Sequence, residues 1–177
     1  MKNNKQDKKV FIALDPSINE TGYAWTVNGD LAAVTSGVIR TRGDNEAMKI
    51  ISLGVELETI LKTPKAPGLV DPGGVAVVEV GEGFTYDRSQ GRGNKKTLNA
   101  HAMYKNGQAA GALVAVLGLN GFIVETVGAT EWKGRTNKKM SKLITGAKNH
   151  NEADAILLLR YYVTRDLSRR QYESYRR

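Results

Sequence analysis

The chain has 177 residues, no cysteine, and 26 Lys and Arg against 18 Asp and Glu, a net charge of +8. That length suits a single domain with a sizeable core. The lack of cysteine excludes disulfides, thiolate zinc sites and cysteine nucleophiles, and fits a reducing cytoplasm. The longest apolar run, Ala109–Leu119, is too short for a bilayer and is broken by Gly111 and Gly118, so no membrane partner is expected.

The first strand is expected at Val10–Asp15, an apolar run entered from a basic tail over residues 1–9. Residues 22–27 and 31–41 are rich in β-formers, and Asn28-Gly29 between them signals a type I′ hairpin. A helix is expected from Asp44, with Ala47, Ile50, Ile51, Gly54, Leu57 and Leu61 on its buried face. Residues 62–74, with three prolines and three glycines, read as a crossover loop. Val75–Val80 is a buried strand carrying one acid, Glu79. A polar, glycine-rich loop follows over 81–96, then a helix over 98–119, a strand over 122–126 and a short helix or turn with a basic helix over 130–146. A closing helix over 151–163 precedes an arginine-rich extension, residues 164–177. The order gives an α/β fold in residues 10–163: an antiparallel three-strand meander joined to parallel strands, flanked by helices.

Charge is unevenly placed. Residues 10–87 hold five basic and eleven acidic side chains, whereas residues 88–148 hold eleven basic and two acidic. A positive middle segment beside an acidic front half suggests a polyanion partner, most simply nucleic acid.

Three acids sit where acids are costly. Asp15 ends the first apolar strand, Glu79 lies inside another, and Asp154 lies among Ala153, Ala155, Ile156 and Leu157. An ionised carboxylate among apolar neighbours needs a partner or a cation. Taken singly, Asp15 as a turn cap, Glu79 as an edge ion pair and Asp154 as a helix cap are structural alternatives. Together they suggest a site for Mg²⁺, with Mn²⁺ able to substitute, because hard cations take oxygen ligands and a metal pair can cleave phosphodiesters. His150 and Asn151 precede Asp154 by four and three residues, so on a helix they share its face, whereas Glu152 does not; His150 is a candidate fourth metal ligand or general base, and Asn151 could assist.

These residues resemble a family. LDPSINETGYA at 14–24, the strand bearing Glu79, KNGQAAGALVAVL at 105–117 and NEADAILLL at 151–159 are similar to RuvC-type Holliday-junction resolvases, in the RNase H-like nuclease superfamily. The NEADA form is similar to phage-encoded members. The resemblance implies an RNase H-like mixed sheet and metal ligation by Asp15, Glu79 and Asp154. The family's fourth ligand falls at Asn151, with His150 adjacent. It also implies a homodimer that resolves a four-way DNA junction by paired symmetric nicks. Gly107, Gly111 and Gly118 form a small-residue ridge that suits either a dimer interface or close packing on the chain's own sheet.

DNA contacts are expected from two segments. Phe84, Tyr86, Arg88, Arg92, Lys95 and Lys96 follow the Glu79 strand, and an aromatic beside basic residues suits an unstacked strand; the family uses such an aromatic as a wedge at the crossover. Lys133, Lys138 and Lys139 resemble the family's later basic segment. Two other readings share much of this pattern: an RNase H-like nuclease acting on RNA–DNA hybrid or precursor RNA, and a junction-binding protein without catalysis.

Overall fold

The computed structural model describes residues 9–63, 73–81, 100–133 and 138–175, with side chains described as far as Ser168. The elements are β1 (Val10–Asp15), β2 (Glu20–Val27), β3 (Thr35–Arg40), α1 (Glu46–Leu61), β4 (Val75–Val80), α2 (Ala100–Leu119), β5 (Ile123–Gly128), α3 (Ala129–Trp132), α4 (Lys138–Thr145) and α5 (His150–Tyr175). The sheet order is β3-β2-β1-β4-β5. The first three strands are antiparallel, and β1, β4 and β5 are parallel. This is the mixed sheet expected from the sequence. Among the described residues no helix is long and apolar enough to cross a membrane.

Strand periodicity sorts the core into two layers. Val10, Ile12 and Leu14 of β1 and Ala76 and Val78 of β4 pack with Leu53, Leu57 and Leu61 of α1 and Leu113 and Leu117 of α2. Phe11, Ala13, Val75 and Val77 point the other way and pack with Ala155, Leu158, Leu159, Tyr162 and Val163 of α5. The same alternation continues to the strand ends. Asp15 and Glu79 therefore belong to the α5 side, where Asp154 also lies.

Several boundaries differ from the sequence reading. Asn28 and Gly29 do adopt positive φ, at 57° and 75°. The β2–β3 ladder, however, begins only at Trp25 opposite Thr35, because residues 31–34 are not strand. Asp30 explains the detour: its carboxylate accepts from Ala32 N, and its carbonyl accepts from Thr26 Oγ1. Helix α1 is capped by Asn45, whose side chain accepts from Met48 N, rather than opened at Asp44. Its buried line is Leu53, Leu57 and Leu61, and Ile51 faces solvent at 60 % exposure. Strand β5 runs on to Gly128, and α5 continues through the arginine-rich extension to Tyr175.

Helix α2 buries Ala109, Ala110, Leu113 and Leu117. Gly107, Gly111 and Gly118 lie on its other side, where an added Cβ would meet nothing within 4 Å. The glycine ridge is therefore not used to approach the chain's own sheet.

Candidate active site

Parallel strands β1, β4 and β5 deliver their carboxyl ends to one edge of the sheet, the usual place for a site in such folds. The β1–β4 register pairs Leu14 with Val78, so the next residues, Asp15 and Glu79, stand side by side. Strand β4 is interior to the sheet, so Glu79 does not lie at a sheet edge. Helix α5 crosses over this edge. Its start is capped by Asn149, whose Oδ1 accepts from Asn151 N at 2.8 Å. Asp154 thus sits one turn inside the helix and is not a cap. It is 2 % exposed.

The acids crowd one another. Burial, then the charge of Glu79, pushes the Asp15 carboxyl up to about 8; Asp154 adds to the rise and Lys133 opposes it. Asp154 Oδ2 is hydrogen-bonded to the Lys133 ammonium, while its buried Oδ1 has no hydrogen-bond partner. Lys133 is the residue that follows α3 just beyond β5. Its ammonium lies 5.1 Å from the Trp132 ring centroid, within cation–π reach. The sequence suggested Lys133 as a phosphate contact; here its ammonium pairs with Asp154.

Among the described residues, no three His, Asp or Glu side chains are close enough together to grip one metal ion as they stand. The chemistry of the donors nevertheless fits a hard divalent cation. They are carboxylate oxygens only, one of them is buried without a hydrogen bond, and burial followed by the repulsion of Glu79 already raises the Asp15 pKa.

His150 is the first residue of α5. Its Nε2 lies 3.4 Å from Lys138 Nζ. An ammonium can only donate, so Nε2 is the acceptor. Burial and then Lys138 hold this imidazole below its ordinary pKa, against the opposing pull of Asp154. Lys139 is exposed on α4. Asn151 turns elsewhere: its Nδ2 donates to the Glu20 carbonyl at 2.6 Å. Glu152 accepts from Ser36 of β3, away from the acids. Phe84, Tyr86, Arg88, Arg92, Lys95 and Lys96 lie outside the described residues.

Three positioning residues were not singled out in the sequence. Glu20 ties three elements together. Its Oε2 accepts from Asn149 Nδ2, its Oε1 pairs with Arg40 at 3.0 Å, and its carbonyl holds Asn151. The bond from Asn149, then that from Arg40, lowers its pKa. Gly22 lies opposite Asp15 in the ladder, and the α5 backbone rests on it. Thr21 fastens the intervening turn, donating to the Ser17 carbonyl and accepting from Ser17 N. The signal for all three was the LDPSINETGYA segment itself, read for Asp15 alone.

Two solved structures share this architecture. Thermus thermophilus RuvC in complex with Holliday junction substrate superposes with a TM-score of 0.56 at 19% identity, covering 90% of this chain and 96% of that one. A second Thermus thermophilus RuvC structure gives 0.54 at 21% identity, covering 90% and 97%. The fold is RNase H-like. No family model and no curated protein matches the sequence.

Proposed function

We propose that this chain is a metal-dependent, structure-selective DNA endonuclease that resolves four-way junctions as a homodimer. The observation that carries the proposal is the convergence of Asp15, Glu79 and Asp154, with Lys133, at the carboxyl edge of a sheet shared with RuvC. Asp15, Glu79 and Asp154 would hold Mg²⁺ or Mn²⁺. When bound, such ions polarise the phosphate and make water more acidic. Asp154 presents a desolvated oxygen that needs no hydrogen bond broken before it binds a cation. Lys133, half-buried beside the acids, would offer its ammonium to the phosphate if Asp154 were to hold a cation instead. His150, the candidate fourth ligand or general base, would act with Lys138 held against its Nε2, its basicity lowered by burial and by that lysine. Lys139 extends the positive rim for the flanking phosphates. The sequence candidates for an unstacked strand are Phe84 and Tyr86, by base stacking, and Arg88, Arg92, Lys95 and Lys96, on phosphate.

The homodimer is drawn from α2. Its outward face holds Tyr104, Gly107, Gly111, Ala115 and Gly118, a chargeless ridge on which a second copy could approach closely. Such a pair would present two sites to two strands of a junction.

The test is Mg²⁺-dependent cleavage of an end-labelled four-way junction beside duplex, single strand and RNA–DNA hybrid. Paired nicks on the junction, lost in Asp15→Asn, Glu79→Gln and Asp154→Asn, are the expected result. Equal cutting of the hybrid would replace the reading with a hybrid-cleaving nuclease. Metal-independent junction binding without cleavage would replace it with a binding protein.

A further inference from the structure

Helix α4 is amphipathic the wrong way round. A surface helix normally turns its apolar stripe inward. Here the residue wholly buried against the protein is Ser141, at 0 % exposure, while Leu143 is 83 %, Ile144 52 % and Met140 45 % exposed. On the helical wheel Met140, Leu143 and Ile144 form one outward stripe, and Lys138, Lys139 and Lys142 form the stripe beside it. Burying the small polar side leaves the apolar side for something else.

We infer that this face of α4 is a docking surface for a duplex arm of the DNA, with the apolar stripe seated against the sugars of the minor groove and the lysines on the phosphates beside it. The inference rests on the nuclease reading above and extends its contact at Lys139 to the apolar stripe of α4 and to a duplex arm. Charge selects the occupant. From Trp132 to His150 the sequence holds six basic residues and no acid. A second copy of α4 would bring lysine against lysine, and the stretch bearing Arg88, Arg92, Lys95 and Lys96 would likewise bring positive charge to positive charge. A polyanion with an apolar lining satisfies both stripes, and Leu, Ile and Met are side chains that proteins insert into minor grooves. The face is also continuous with the candidate site, because Lys138, the first residue of α4, contacts His150.

The experiment compares wild type with the combined Met140→Gln, Leu143→Gln, Ile144→Gln variant and with the Lys139→Ala, Lys142→Ala variant. The glutamine variant should bind a four-way junction about tenfold more weakly with an unchanged salt slope, while kcat at saturating junction stays as in wild type. The lysine variant should flatten the slope of log K against log salt by nearly two, at roughly 0.9 per phosphate contact. Leu143→Ala alone, expected to weaken binding about threefold, serves if the triple variant fails to fold. Unchanged junction affinity in the glutamine variant overturns the inference. So does loss of the dimer in that variant, which would assign the face to a second copy. Co-sedimentation of wild type with phosphatidylserine vesicles, abolished by the glutamines at unchanged junction affinity, would assign it to a membrane surface and overturn it too. If wild type itself neither binds nor cuts junctions, the nuclease reading fails, and that outcome is distinct from the others.

Discussion

A Cβ on Gly22 would lie 1.9 Å from the backbone oxygen of Asn151. Gly22 pairs with Asp15 across the β1–β2 ladder, and Asn151 lies in the same helix turn as Asp154. The missing side chain at Gly22 therefore sets how closely the helix bearing one acid approaches the strand bearing another. Gly22→Ala should lift the start of α5 and destabilise the fold by about 2–3 kcal/mol. Junction cleavage should fall further than stability explains, by roughly a hundredfold, since misplacement near 1 Å costs that much. Thermal melts and cleavage rates of the folded fraction test both halves.

Lys133 and Asp154 form an unequal ion pair. The carboxylate is buried, and the lysine side chain retains partial access to water. Removing the cation strands a buried charge, whereas removing the anion frees a lysine that can reach solvent. Lys133→Met should cost about 3 kcal/mol in metal-free protein, and Asp154→Asn clearly less. Mg²⁺ should restore much of the loss in Lys133→Met and none in Asp154→Asn. Urea melts of both variants in chelator and in Mg²⁺ measure this directly.

How far the molecule could be read from its sequence depended on how local each cause was. Strand β4 is bounded as expected, because a strand buried on both faces reads as a continuous apolar run. Asp15 and Glu79 stood out because each interrupts or ends such a run. Asp154 stood out through its alanine and leucine neighbours. The buried face of α1 was harder, since Ile50 and Ile51 are adjacent and only contact with α2 and the sheet decides between them. Residues 31–34 looked like strand, yet a single Asp30 side chain diverts the chain. The pairing of Lys133 with Asp154 spans 21 residues, and Glu20 acts through three separate elements. Neither has a periodicity to reveal it. The outward apolar stripe of α4 runs against the expectation that such stripes face the core, which is why it reads as a binding feature.

The raised Asp15 pKa makes the metal-free protein sensitive to pH. The carboxyl ionises near 3.8 in the unfolded chain and near 8 in the folded one. Between those values the folded state holds a proton that the unfolded state has released, so stability falls as pH rises. The Asp15 contribution is fully present below about 4 and is lost through 8. Metal binding must displace the same proton, so Mg²⁺ affinity should climb about tenfold per pH unit below 8 and then level off. Asp15→Asn should abolish the stability slope. Chemical melts in chelator from pH 5 to 9, with Mg²⁺ titrations at each pH, are the measurement. A flat affinity profile across that range would remove Asp15 from the ligand set.

If the proposed homodimer closes on the glycine ridge of α2, substitutions there should separate folding from assembly. Open space lies around Gly111, and its helix is otherwise well packed. Gly111→Ala should therefore raise the stability of the fold by about 0.5–1 kcal/mol, the usual gain for replacing glycine within a helix. Gly111→Trp should leave the monomer folded but prevent two copies from closing on the ridge. Analytical ultracentrifugation should then find monomer where wild type gives dimer. On a junction held in a plasmid, the tryptophan variant should give single nicks in place of linear product, because paired incision needs two sites on one junction. If Gly111→Trp remained dimeric and still cut in pairs, the interface would have to lie on another face.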